Sequence, residues 1–491
     1  MRNVSTGFLN VTINNKNQAD PIIGAKVTIT EYKNRNKIIK TSKTNEAGQI
    51  NLIELEALNP SDIYSGNPYK KYDLIVEIPP TQRLEHGKTY VKSGIQIMNN
   101  VITNSEDDLS YITALENAKD DRRILEIDLP ENNIFLSEVE QMYMDPYTIP
   151  DKLVPGSSSY AIAFPKYVKP FVPTKINIYL GKVNPYNPVI KVNERKIILE
   201  NYKKYLKIVS AKEFGGIPNL TEQAAIAQFL CVNSFALNRV YTELYINKGF
   251  KFNITNSKSF DQDYPAGGQS FDHIDKIVDK YFNKYIRITE KVQPFLAQYC
   301  TGKSGVCQNR GLPLLHCNDL SIRNPQMSYL DLLKYYFKKG DVDIEIIETH
   351  EVEGIPKSYP GFNLKIGMTT DENSINSVKA IQTWLNIIRK NYNAIPNIQE
   401  TGIFDNQTFV AVKKFQELFE KTKPEKGIVD ETTWYKISEK YVAASGIAEP
   451  REILNNYPQT YYLTYVEWVP VMMPVYVPMY RYSNFLNRHK V

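Results

Sequence analysis

The chain has 491 residues, too many for one core, and its length points to about three domains. A net charge of +5, spread without a basic stripe carrying interleaved aromatics, excludes a nucleic-acid binder, although a mild positive balance suits an anionic polymer such as cell wall. No run of 18 apolar residues predicts a membrane span, the N-terminus shows no apolar core of a secretory signal, and 4 cysteines are too few for a disulfide scaffold.

Residues 7–13, 25–32, 48–55, 72–78 and 94–99 alternate or run apolar between turn residues such as Asn14–Asn17 and Asn45–Gly48. This spacing predicts a small antiparallel β-sandwich. The pair PIIGAKVTI and TNEAGQINL resembles the carboxypeptidase-regulatory, or transthyretin-like, module, so this region reads as a spacer or adhesion domain over 1–125. Residues 101–170 lose the regularity. NSEDDLS and ENAKDDRR are charged and Pro recurs from 130 to 170, so 126–170 reads as a linker with one short helix around Leu136–Tyr143. An exposed linker of this kind is where proteolysis falls.

Strands resume in FVPTKINIYLG and NPVIKVNE, and RKIILENYKKYLKIVSAKEF follows. A helical period then runs through residues 221–247, from Ile226, Phe229 and Leu230 to Val240, Tyr241 and Leu244. Thr221 is the expected N-cap and Gly249 the expected C-terminal stop. Apolar on nearly every face, this helix is predicted to be the buried centre of a domain over 171–350. An amphipathic helix is expected after it, with Ile274, Ile277, Val278, Tyr281 and Phe282 on one face.

The central helix, with Ser234, Phe235, Ala236 and Leu237 near its middle, resembles that of the stage II sporulation protein D lytic transglycosylases. Its extension Asn238–Glu243 resembles the spore cortex-lytic enzymes of the SleC type. Tyr205, Leu206, Val209 and Glu213 match the family's entry segment, Asp261 and Gln262 its Asp-Gln loop, QPFLAQYCTGKSGVC its cleft strand and loop, and MSYLDLLKYYF, residues 327–337, its closing helix.

Residues 361–445 read as a separate unit of two amphipathic helices and a shorter third, joined by Gly-bearing turns. Leu364, Gly367, Val378, Gln382, Leu385, Gly402, Phe404, Thr408, Phe415, Gln416, Gly427, Thr433 and Trp434 fall where the three-helix peptidoglycan-binding module has matching residues. Most of these are core positions. Residues 446–491 form a Tyr/Pro-rich tail in which the prolines exclude a long helix. The fold class is therefore α+β and multidomain.

The resemblance implies a lytic transglycosylase cleaving between N-acetylmuramic acid and N-acetylglucosamine, with peptidoglycan or spore cortex glycan as partner and spore cortex, coat or cell wall as location. An activating protease that removes the N-terminal region is a further implied partner. The muramyl hydroxyl is the nucleophile in such enzymes, so one carboxyl serves as acid and then base. The family's carboxyl position falls on Gln223, which cannot move the proton. Glu222 is its neighbour, about 100° away around the helix, and reads equally as a helix-start acid. Glu213 and Asp261 are the other candidates. The family's later Gly-rich segment reads GLPLLHCNDL here, so two of its features are altered together. A non-catalytic wall-binding protein is the competing reading. Cys300, Cys307, His316 and Cys317 admit a Cys300–Cys307 disulfide, a zinc site or free thiols. No cofactor is expected.

Overall fold

The computed structural model describes residues 5–15, 19–58, 69–80, 87–118, 124–129, 147, 170–185, 192–302, 311–349, 352, 355–368, 370–421 and 423–445. The short helix expected around Leu136–Tyr143, Cys307 and the 446–491 tail lie outside them.

The chain opens with β1 (Ser5–Asn15), β2 (Asp20–Pro21), β3 (Lys26–Glu31), β4 (Asn34–Lys43), β5 (Ile53–Ala57), β6 (Lys70–Ile78), β7 (Lys88–Ile97), β8 (Ile102–Asp108), α1 (Leu109–Ala118) and β9 (Leu125–Asp128). The five expected strands are all present. They belong to two five-stranded sheets, one ordered β4-β3-β6-β7-β9, the other built on β8-β1-β2 with β5 also against β1. Side chains such as Leu9, Val11, Leu74 and Val76 point inward at alternate positions and fill the core between them. The expectation of purely antiparallel pairing is corrected, since β1 pairs with β8 and β7 with β9 in parallel.

β8 and α1 occupy residues expected to be irregular. β8, ITNSEDD, is a polar strand, yet Thr103, Asn104, Ser105, Asp107 and Asp108 are buried. They are satisfied by charge and amide partners in place of apolar packing. Fully buried Lys92 pairs with Asp107 and donates to Ser105 Oγ at 2.9 Å, while Tyr90 Oη donates to Asp107 at 2.7 Å.

The central region comprises β10 (Lys175–Tyr179), β11 (Ile197–Asn201), α2 (Tyr202–Glu213), α3 (Glu222–Thr242), β12 (Ile254–Thr255), β13 (Ser270–Phe271), α4 (Asp272–Tyr281), β14 (Lys284–Ile288), β15 (Tyr299–Cys300), β16 (Leu312–Pro313), α5 (Leu314–Arg323), α6 (Tyr329–Phe337) and β17 (Ile344–Glu348). α3 is the buried central helix. Thr221 caps it, its Oγ1 accepting from Ala224 N at 3.2 Å. It stops earlier than expected, because Glu243 adopts a left-handed φ of 50°, and Gly249 (φ 86°) closes a following 3-10 turn instead. Each fully buried Leu, Ile or Phe on α3 contributes about 1.5–3 kcal/mol of burial. Its polar residues pin the surrounding loops: Asn233 Nδ2 donates to the carbonyls of Phe282 (2.9 Å) and Lys284 (2.8 Å).

The central region is built into the N-terminal sheets. β13 extends the β8-β1-β2 sheet by pairing with β8. Gln269 and Gln96 exchange two hydrogen bonds, at 2.8 and 3.0 Å. Tyr111 and Tyr264 share a buried hydroxyl contact of 2.7 Å, and Tyr264 donates to Glu200 at 2.9 Å.

The C-terminal module is α7 (Glu372–Ile388), α8 (Asn406–Phe419) and α9 (Glu431–Ser445). Asp371, Asp405 and Asp430 start the helices by accepting from the backbone N–H three residues on, at 2.8–2.9 Å. Two equivalent staples join them. Gln382 Oε1 accepts from Gly402 N at 2.8 Å and its Nε2 donates to Thr408 Oγ1 at 2.9 Å. Gln416 does the same with Gly427 N (2.6 Å) and Thr433 Oγ1 (3.0 Å). Both glycines have left-handed φ, 78° and 94°, which explains the residue type at each turn. The module docks on the rest through Lys203–Glu439 (3.0 Å), Asn283–Glu431 (2.8 Å) and Gln49 to Leu418 O (2.9 Å).

Candidate functional site

The four carboxyl and amide positions singled out by the sequence do not converge. Glu222 is exposed at the start of α3. Gln223 accepts from Tyr329 N at 2.8 Å through Oε1, so its amide caps the first turn of α6. Asp261 is fully committed: Oδ1 accepts from Arg239 Nε at 2.8 Å, and Oδ2 accepts from Tyr245 Oη (2.6 Å), Thr255 N (3.0 Å) and Thr255 Oγ1 (2.7 Å). Such a carboxylate holds a loop in place, with four donors, buried Arg239 among them, already engaging it.

Glu213, the last residue of α2, is different. It is buried, and Oε1 accepts only a 3.2 Å bond from Asp263 N. Burial pushes its carboxyl above the usual range, Asp263 adds to the rise, and Lys258 and Lys212 oppose it. The Tyr299 hydroxyl nearby is held by Gln262, which also accepts from Tyr205 Oη at 2.8 Å and donates to Val232 O at 3.0 Å. Gln262 thus acts as a buried hub joining the family-like loop to α2 and α3.

Cys300 is disulfide-bonded, so it supplies no thiolate. Cys231 and Cys317 are free and buried, and burial pushes the Cys317 thiol up to about 12. This corrects the four-ligand zinc alternative. His316 Nδ1 lies 2.8 Å from Tyr336 Oη, within an aromatic cluster beside Tyr335. Among the described residues no three His, Cys, Asp or Glu side chains group to hold a metal.

The site that the sequence reading missed is a cleft of about 850 Å³ where the N-terminal sheet, α4 and the C-terminal module meet. Asn10, Thr12 and Asn14 line one side, on the same face of β1 at two-residue spacing. α4 presents Asp272, Asp275 and Asp279, and α9 presents Lys436 and Lys440, both at helical spacing. Those two stripes of opposite charge were the available signal. Lys207 Nζ donates to Asp279 at 2.9 Å, and Lys207, Lys436 and Lys203 hold that carboxyl well below the usual range against the effect of burial. Asp275 Oδ2 accepts from Asn104 Nδ2 (2.8 Å) and Ser270 Oγ (2.9 Å), while Oδ1 has no partner. Burial pushes the Asp275 carboxyl up to about 7 and the Lys440 amine down to about 7.

No described helix is long and apolar enough to cross a membrane. No curated protein matches the chain. Residues 374–437 match the family described as a putative peptidoglycan binding domain, and they span α7, α8 and the start of α9, with both glutamine staples. The C-terminal module is therefore a peptidoglycan-binding domain, which supports peptidoglycan as the partner and association with the cell wall.

Proposed function

We propose that the chain is a peptidoglycan-binding protein of the cell wall or spore cortex, in which a central domain similar to the SleC-type and stage II sporulation protein D enzymes serves as scaffold and does not cut glycan. One observation carries this reading. Gln223, at the family's catalytic position, is spent on Tyr329 N at 2.8 Å. An amide cannot act as general acid or base, and here it fills a structural role instead. The N-terminal sheets, which resemble a transthyretin-like module, act as a fixed spacer that remains part of the protein.

The test is incubation of the pure protein with sacculi and with decoated spore cortex. Co-sedimentation without release of 1,6-anhydro-muropeptides is expected. Release of anhydro products would overturn the scaffold reading. A second reading, a weakened lytic transglycosylase, is favoured by Glu213, a buried carboxyl of raised pKa beside Tyr299. It requires that any turnover be abolished by Glu213→Gln and survive Glu222→Gln.

A further inference from the structure

The cleft between the N-terminal sheet, α4 and α9 has the volume of a ligand site, about 850 Å³. Its charges are only partly used by one another. On the α4 wall Asp279 is taken by Lys207 at 2.9 Å and Asp272 by Lys276 at 2.8 Å. Asp275 is 7% exposed, and its Oδ1 is left without a donor. Buried carboxylate oxygens are normally satisfied, so an orphan one lining a cleft marks a place for an incoming N–H. On the α9 wall Lys436 has no ion-pair partner among the described residues, whereas Lys440 is a buried residue whose amine lies 4.7 Å from the centre of the Phe419 ring. Several carboxylates bear on these lysines: Glu106 is held low by Lys436, Lys207 and Lys440 together, Glu439 and Asp108 also act on Lys440, and Lys436 acts on Asp279. Between the walls Asn10, Thr12 and Asn14 form a polar row, in which Asn10 Nδ2 donates to Asn104 at 3.0 Å and Asn14 Oδ1 accepts from Tyr392 Oη at 3.4 Å.

We infer that this cleft binds a zwitterionic peptide, with a ligand amine against Asp275 and a ligand carboxylate against Lys436 and Lys440. The polar β1 row borders the backbone of the peptide between those two ends. Within peptidoglycan, the component with this chemistry is the peptide stem, which carries carboxylates and, where it contains a diamino acid, an amine. The N-acetylated sugars carry acetamido groups but no amine. The inference rests on the peptidoglycan-binding reading of the module and names the part of the polymer it takes. Because three separate stretches of chain build the cleft, the ligand also ties the module to the body.

Calorimetry on the full chain tests it with three probes: a disaccharide–peptide containing a diamino acid, the same peptide alone, and glycan strands stripped of peptide. Saturable binding of the first two is expected, with Lys436→Gln and Asp275→Asn each weakening it by about tenfold or more. Circular dichroism confirms that each variant is folded, and Lys436 is partly exposed, so its replacement leaves the core untouched. If sacculi sediment the parent but the peptide probes give no heat, or only stripped glycan binds, the inference falls and the peptidoglycan reading stands. Unchanged affinity in both variants moves the peptide away from this cleft and equally overturns it. If neither sacculi nor any probe binds, both fall.

Discussion

Replacing Asp275 by Asn removes a charge that the fold buries. Burial pushes this carboxyl from 3.8 up to about 7, Glu106 and Asp279 add to the rise, and Lys207 opposes it. The folded state therefore holds the proton more tightly than the unfolded chain. The stability this contributes is fully present below about pH 4 and is lost as pH rises through 7. Ionising the group costs about 1.5 kcal/mol at pH 5 and about 4 kcal/mol at pH 8. Asn is isosteric. Its carbonyl oxygen accepts the Asn104 and Ser270 donations, now at 2.8 and 2.9 Å, and its NH₂ takes the position of the orphan oxygen at the cleft. The stability of the variant relative to the parent should thus grow by about 4 kcal/mol between pH 3 and pH 8. Any fixed cost of the substitution cancels in that difference. Urea unfolding followed by circular dichroism across this range is the assay. A difference that stays flat, or that shrinks as pH rises, would refute the burial argument.

Other expectations concern the joints of the fold. Lys92→Met leaves Asp107 buried without its cation and should cost about 3–5 kcal/mol in denaturant unfolding, partly recovered by adding Asp107→Asn. Gln223→Ala leaves the Ser328 cap of α6 in place but removes the acceptor of the Tyr329 N–H, and should cost about 1 kcal/mol without changing sedimentation with sacculi, whereas Glu222→Gln, at an exposed position, should leave the unfolding midpoint unchanged. Cutting away residues 1–125 strips β13 of its partner strand and removes Tyr111 and Gln96, leaving buried Tyr264 and Gln269 without those contacts. The remainder should aggregate or bind hydrophobic dyes, and a monomer that still unfolds cooperatively would restore the idea of an N-terminal region removed on activation.

The parts of the molecule that could be read in advance are those held by apolar periodicity and local caps. α3 shows its apolar residues three and four apart with Thr221 ahead of them, and the module shows its helices with Gly402 and Gly427 between. β8 was unreadable because its burial is polar. Asn104 meets Asp275, 171 positions away, and Ser105 meets Lys92, so no neighbouring residue discloses that ITNSEDD lies inside. β4 failed for the opposite reason, since nearly all its residues are exposed and no inward stripe exists to detect. The cleft was hidden because each wall looks like an ordinary solvated helix face until α4 and α9 are brought together. The surroundings of the catalytic candidates were equally hidden: helical rotation separates Glu222 from Gln223, and only the tertiary contacts reveal that Asp261 is engaged by Arg239, Tyr245 and Thr255.

The two staples of the module bear on where recognition resides. Gln382, Gly402 and Thr408, and again Gln416, Gly427 and Thr433, are among the positions that most clearly mark the family, and they bond to one another. Their hydrogen-bonding groups are used up in joining helix to turn, so the match at these positions reports a fold and leaves little to offer a ligand. Selectivity must then come from residues that the staples do not constrain. On α9 those include Lys436 and Lys440, which lie one turn apart and face Glu106 and the acidic stripe of α4. The same module without this chain's β1 and α4 would lose the opposite wall of the cleft, and with it the Asp275 position. On the cleft proposal, recognition is thus a property of the assembled chain, to which the module contributes the α9 face together with the end of α8 and the turn after it.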